Sequence, residues 1–154
     1  MKPKIYLSGA IERSDNPFQW RQEIKSKLEP DYDVIVPTGL ELPPDCSFLD
    51  RQKVIKYDIV LKDINDVISC QEFFVKIDPA VLKGAGTLSE ITFATIYNKP
   101  ITCWFDGISI QDAPGWIQGC LYDTSVVSGI KEAIGHLNGK LPHYKQLYRK
   151  HADI

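Results

Sequence analysis

Glu90 closes the segment Gly84-Ala85-Gly86-Thr87-Leu88-Ser89-Glu90, which lies between an apolar run, Phe73 to Ile77, and an apolar helical pattern. A strand, a glycine turn and a helix in that order set an acid beside an opening of ligand size. The two glycines permit a tight turn and close approach of the backbone to a small molecule, while the exposed amides and dipole of a first helical turn favour an ionised carboxylate. An ionised, positioned glutamate is a candidate nucleophile. The same residues also read as a capping box, with Thr87 capping the helix and Glu90 reaching back to the cap amide. Local sequence leaves both readings open and by itself favours the cap.

Other chemistry-bearing residues are sparser. Ile5-Tyr6-Leu7 is a short apolar strand that ends in Ser8-Gly9-Ala10, a second turn of small residues where a ligand can approach the backbone. Asp63 sits on a helical pattern roughly opposite Leu61 when stepped at 100° per residue. Alone it reads as a solvated acid beside Lys62, and Asp58 and Asp66 read the same way. Arg13 offers a charge for phosphate but stands beside Glu12, as a solvated arginine would. His136, His143 and His151 lack metal-ligand spacing, and Cys46, Cys70, Cys103 and Cys120 form no CxxC pair. Neither zinc nor a redox dithiol is indicated, and the cysteines are expected as reduced, mostly buried thiols.

The elements that must position these residues alternate. Pro17 to Leu28 reads as a helix with Asn16 as cap, Pro17 at the first position, and Trp20, Ile24 and Leu28 at four-residue spacing. Val34-Ile35-Val36 is a buried strand, followed by a loop from Pro37 to about Phe48 holding three prolines, an expected surface excursion or lid. Val54, Tyr57, Leu61, Ile64 and Ile68 predict a helix with a well-defined buried stripe. Strand Phe73 to Ile77, helix Thr87 to Asn98 and strand Ile101 to Phe105 come next. A loop around Pro114-Gly115-Trp116, strand Ser125 to Val127, helix Ser128 to Leu137 and a basic tail from Leu141, expected as a solvated terminal helix, complete the pattern. Trp104 and Phe105 read as core aromatics in preference to base-stacking groups, and Trp116 as a lid or subunit contact. The alternation implies a single α/β domain, a doubly wound parallel sheet of Rossmann-like or flavodoxin-like type, whose ligand crevice lies beyond the carboxyl ends of the strands. Both small-residue turns fall on that edge.

Bulk properties narrow the function classes. The 154 residues are 44% apolar and 25% charged with a net charge of -2, an ordinary soluble composition that gives no reason to expect nucleic acid polymers or acidic membranes as partners. No signal-length or membrane-length apolar run is present, so a cytoplasmic protein with a small-molecule or protein partner is expected.

Three segments in order, Ile5-Tyr6-Leu7-Ser8-Gly9, then Lys62-Asp63-Ile64-Asn65-Asp66-Val67, then Gly84 to Ala94 followed by Asn98-Lys99-Pro100-Ile101, resemble the nucleoside 2-deoxyribosyltransferase family. The resemblance covers roughly residues 4 to 106. It implies that Glu90 is the nucleophile on the sugar anomeric carbon, that Asp63 lies near the nucleobase and assists its proton transfer, and that the Tyr6 hydroxyl orients Glu90. It further implies substrate-binding positions at Ser8, Gly9, Ala10, Gly84, Gly86, Thr87 and Ser89, no cofactor or metal, deoxynucleoside or deoxynucleotide and nucleobase as partners, and a homo-oligomer.

Cleaving an N-glycosidic bond develops positive charge on the sugar and negative charge on the departing base, so a carboxylate on one side and a proton donor on the other lower both costs. Retention through a glycosyl-enzyme asks for carboxyl groups about 5 Å apart, as in retaining glycosidases. Glu90 is then expected to be ionised, and Asp63 to occupy a drier or more anionic setting. The chain departs from the family at two places. Gly84 stands where transferases commonly carry an acid for the sugar 5'-hydroxyl, and Cys70-Gln71 stands where many have Ala-Asp. Losing the acid also removes a charge that would repel a 5'-phosphate, so a hydrolase of deoxynucleoside monophosphates and a non-catalytic nucleotide sensor are the alternatives. Ser8 and Ser89 are candidate phosphate ligands, whereas Ala10 lacks the hydroxyl such a site would use.

Overall fold

The computed structural model describes residues 1–37, 39 and 42–152. Five strands, β1 (Lys4–Ser8), β2 (Asp33–Ile35), β3 (Glu72–Ile77), β4 (Ile101–Phe105) and β5 (Ser125–Val127), form one sheet in the order β2-β1-β3-β4-β5. Every neighbouring pair is parallel. Parallel strands need crossover connections, and the helices that supply them cover both faces, which is why β1 and β3 are almost wholly buried. The strand order reverses direction between β1 and β3, the place where a flavodoxin-like sheet opens a ligand crevice.

Register divides the strand side chains into two sets. Tyr6 pairs with Phe73 and Ser8 with Val75, which in turn pairs with Cys103. These share a face with Ile77 and pack against Val67, Ile91, Ala94 and Ile117 of the covering helices. The alternate residues, Ile5, Leu7 and Phe74, face Trp20, Ile24, Ala133 and Leu137. The helices are α1 (Gln19–Leu28), α2 (Phe48–Val54), α3 (Leu61–Ser69), α4 (Gly86–Ile96), α5 (Gly115–Cys120), α6 (Ile130–Gly139) and α7 (Leu141–Ala152).

Several local expectations are corrected. Helix α1 starts at Gln19, after Pro17, because the Asn16 amide bonds the Gln19 side chain instead of a backbone amide and the Pro17 carbonyl is taken by Arg21. The helix expected from Val54 already begins at Phe48, where Ser47 Oγ accepts from the Asp50 amide at 3.1 Å. Between α2 and α3 the chain widens into a π-helical turn, Ile55–Val60. A wider turn advances fewer degrees per residue, so the stripe stepped at 100° falls out of phase. Tyr57 is 55% and Leu61 40% exposed, and Val67 alone of the described residues of α2, the turn and α3 is buried. Of the proline-rich loop, residues 38, 40 and 41 lie outside the described ones.

The segment around Pro114 is not an open loop: Gly115 begins α5, and the Trp116 indole N–H donates to Thr92 Oγ1 on α4 at 3.1 Å. Helix α6 starts at Ile130, because the Ser128 amide and hydroxyl are both taken by the Glu132 carboxylate. Helix α7 is not merely solvated. Its Leu141 and Tyr144 are buried, and the Tyr144 hydroxyl and Lys140 ammonium hold the buried Glu72 carboxylate at 2.6 and 2.8 Å. That pairing removes the cost of an isolated buried charge. All four cysteines are free, with Cys70 and Cys103 buried and their thiols pushed up to about 11 by burial. No described helix is long and apolar enough to cross a membrane.

Candidate active site

Glu90 is the fifth residue of α4, one turn inside the helix that Gly86 begins. The capping box is absent: Ala85 occupies the cap position without a side-chain hydrogen bond, and Thr87 is buried within the first turn. Glu90 instead turns toward the sheet. Tyr6 Oη donates to Glu90 Oε2, and Ser8 Oγ donates to Oε1 at 2.8 Å. Hydrogen bonds to an ionised group contribute about 1.5–3 kcal/mol each, against about 1 kcal/mol for a helix cap, so two hydroxyl donors decide the rotamer.

The period of β1 makes this possible. Tyr6 and Ser8 are two residues apart and so share a face, and Tyr6 is fixed by complete burial and by stacking on Phe73 at a centroid distance of 5.8 Å. Burial first, and the neighbouring Glu90 charge second, push the Tyr6 phenol well above the ordinary tyrosine range, so it is a neutral donor. Burial also dominates Glu90, whose carboxyl is pushed up to about 7. The Tyr6 and Ser8 hydrogen bonds oppose that rise, Asp63 adds to it and Arg21 opposes it. The expected ionisation by the helix dipole is corrected here, because that effect fades beyond the first turn.

Asp63, on α3, is half-buried, and its charge acts on both Tyr6 and Glu90. Its carboxyl is pushed up to about 6, chiefly by burial; Lys62 and Arg21 lower it and Asp66 raises it. Lys62 bonds Asp66 at 2.7 Å and stands 4.0 Å from Asp63, so it neutralises the former more than the latter. Asp63 is therefore not the solvated surface acid that its sequence neighbours suggest.

The remaining expected residues divide by exposure. Gly84, Gly86 and Ser89 lie exposed around the start of α4, and a Cβ on either glycine would meet nothing within 4 Å. Ala10 is half-buried against the core face that holds Tyr6. Gly9 is buried, and a Cβ there would stand 2.9 Å from the Trp20 ring and 3.3 Å from Arg21 Nη2, so only glycine fits. Arg13, in a left-handed conformation, donates to the Lys83 carbonyl at 3.1 Å and ties the turn after β1 to the segment before α4. Trp104 packs edge-on to Trp20 on the face opposite Glu90. Among the described residues no group of three or more His, Cys, Asp or Glu side chains is placed to hold a metal ion.

Sequence reasoning passed over Arg21. It is fully buried, and its guanidinium donates to the carbonyls of Leu7, Pro17 and Gly9. The signal was available: position 21 falls on the buried stripe of α1, between Trp20 and Ile24.

No family model matches the sequence, and a search of curated proteins finds no match. Solved structures do match. A 2-deoxyribosyltransferase from Bacillus psychrosaccharolyticus superposes with a TM-score of 0.61 at 18% identity, over 85% of this chain and 90% of that one. A Clostridium botulinum CMP N-glycosidase, BcmB, superposes with a TM-score of 0.52 at 17% identity, over 88% of this chain and 98% of that one. The parallel five-stranded sheet, with Tyr6 and Ser8 of β1 on the Glu90 carboxylate, thus has the α/β fold of a solved 2-deoxyribosyltransferase and a solved CMP N-glycosidase.

Proposed function

We propose that the chain is a nucleoside 2-deoxyribosyltransferase that cleaves the N-glycosidic bond of 2'-deoxynucleosides through a deoxyribosyl–Glu90 intermediate and passes the sugar to another nucleobase. The observation that carries this reading is the pair of hydroxyl donors, Tyr6 and Ser8, on the two oxygens of Glu90. They hold one carboxylate oxygen pair in a fixed direction, as a nucleophile requires. The likeness to a 2-deoxyribosyltransferase and to a CMP N-glycosidase supports the same chemistry.

In the first half-reaction a Glu90 oxygen bonds to the anomeric carbon while the carbon–nitrogen bond breaks. Its electron pair leaves on the base, which takes a proton from Asp63. In the second, a nitrogen of the incoming base attacks the same carbon, the Glu90 ester bond breaks, and the proton lost from that nitrogen returns to Asp63. The productive state carries one proton on the pair, on Asp63, and is the minor of the two singly protonated forms because Glu90 holds its proton more tightly. Because burial lifts Glu90 to about 7 and Asp63 to about 6, the singly protonated pair is populated near neutrality, with apparent values that belong to both residues together.

Ser8 favours nucleosides over 5'-monophosphates: its hydroxyl, a candidate phosphate ligand, is spent on Glu90, and Ala10 offers none. An assembly of identical copies belongs to the same proposal, and sedimentation or light scattering tests it. The activity is tested by incubating the protein with deoxynucleosides and their 5'-monophosphates, with and without an acceptor base, and resolving products by chromatography. A new nucleoside supports the transferase. Free base alone indicates a hydrolase, and unchanged substrate with measurable binding indicates a sensor.

A further inference from the structure

Arg21 is the most completely buried cation among the described residues, and no carboxylate lies within ion-pair distance of it there. A buried charge without a counter-ion is costly unless its hydrogen bonds are made. Arg21 makes them to backbone alone. Its Nε donates to the Leu7 carbonyl at 3.2 Å and its Nη2 to the Gly9 carbonyl at 2.8 Å, so one planar fork grips the carbonyls on either side of Ser8. Nη1 takes the Pro17 carbonyl and anchors the same guanidinium to the start of α1, and the Trp20 ring backs it at 4.6 Å. Gly9 is obligatory because any side chain there would enter this clamp.

We propose that Arg21 is a positioning residue: from the face of the sheet opposite Glu90 its guanidinium fixes the Leu7–Ser8 and Gly9–Ala10 peptide units, one before and one just beyond Ser8, and through Ser8 it orients the Glu90 carboxylate. Lysine cannot replace it, because an ammonium lacks the rigid fork that spans two carbonyls. The cation also lies close enough to act on Glu90 through space, opposing the protonation that burial and the Asp63 charge favour, while Tyr6 and Ser8 supply the direct hydrogen bonds. The inference rests on reading Glu90 as the reacting group, but its test needs no substrate.

The test is a carboxyl-carbon NMR titration of Glu90, assigned by the signal lost in Glu90→Gln, in wild type, Arg21→Gln, Arg21→Lys and Ser8→Ala. Removing the cation is expected to raise the Glu90 midpoint by about half a pH unit or more in Arg21→Gln. In Arg21→Lys, which keeps charge but loses the fork, a smaller rise is expected. A wild-type midpoint in a folded Arg21→Gln protein overturns the proposal. If Arg21→Gln does not fold, the cycle between Arg21→Lys and Ser8→Ala decides. Shifts that fail to add support action through Ser8, and fully additive shifts overturn it. Loss of activity with unchanged titration would contradict this positioning role while leaving the proposed reaction intact.

Discussion

Ser8 and Glu90, 82 residues apart in sequence, meet at the carboxyl edge of the sheet, where the serine hydroxyl donates to one carboxylate oxygen at 2.8 Å while Tyr6 serves the other. Both donors come from one strand, so the direction of the carboxylate is set by the sheet and not by the helix that carries it. Helix α4 supplies the group, and β1 aims it.

Removal of the Glu90 carboxylate is the first expectation. Glu90→Ala should abolish turnover while the fold persists, because no capping role depends on this residue. Glu90→Gln keeps the size and one acceptor oxygen for the two hydroxyls but is a poor nucleophile, and it should be as inactive as alanine in steady-state assays. Activity near wild type in either variant would remove Glu90 from the chemistry.

The buried carboxyl also links stability to pH. Glu90 titrates at about 7 in the fold against an ordinary 4.5, chiefly through burial. The folded state thus holds the proton more tightly than the unfolded chain, so this contribution is complete below about pH 4.5 and is lost as pH rises through about 7. Glu90→Gln, which buries no charge, should melt at a higher temperature than wild type at about pH 8, by an amount corresponding to roughly 1–3 kcal/mol, and near the wild-type temperature at about pH 4.5. Thermal melts at the two pH values check this. An equal difference at both would assign the effect to packing.

Asp63→Asn should slow substrates with poor leaving bases more than those with activated ones, since a general acid matters most where the departing nitrogen needs a proton. Comparing the two substrate classes in kcat/KM reads the difference. A uniform loss would assign Asp63 to positioning, and no loss would remove it from the chemistry. The wild-type pH profile should be bell-shaped around pH 6 to 7, falling in acid as Glu90 gains a proton and in base as Asp63 loses its own.

Gly84 gives a signed comparison. Its position is exposed, its φ of -136° suits any residue, and a Cβ there meets nothing within 4 Å. Gly84→Asp should therefore be tolerated and should raise kcat/KM for deoxynucleosides by about tenfold, the worth of one hydrogen bond to a charged acceptor. The same change should depress any cleavage of 5'-monophosphates by placing like charges together. A wild-type preference of about tenfold or more for monophosphates would reverse the assignment of substrate.

The strands were legible because each is a short apolar run bounded by small or turn residues, and the parallel sheet followed from their alternation with helices. Tyr6 and Glu90 were legible only through the order of their motifs. No local rule distinguishes a capping glutamate from one drawn inward by hydroxyls from a distant strand, and the cap reading failed for that reason. The stripe from Val54 to Ile68 failed because a fixed step cannot anticipate a π-helical turn. Arg21 escaped notice because its partners are backbone carbonyls, which carry no residue-type signal, and Tyr144 because its partner Glu72 is 72 residues away.

The most direct measurement is intact-mass spectrometry of the protein mixed with a 2'-deoxynucleoside without acceptor base and quenched in acid. The account predicts a species heavier by one deoxyribosyl group, mapped by peptide digestion to Glu90, discharged when an acceptor base is added, and absent from Glu90→Gln. Product formation by wild type with no adduct at Glu90, or an adduct that persists in Glu90→Gln, would contradict it.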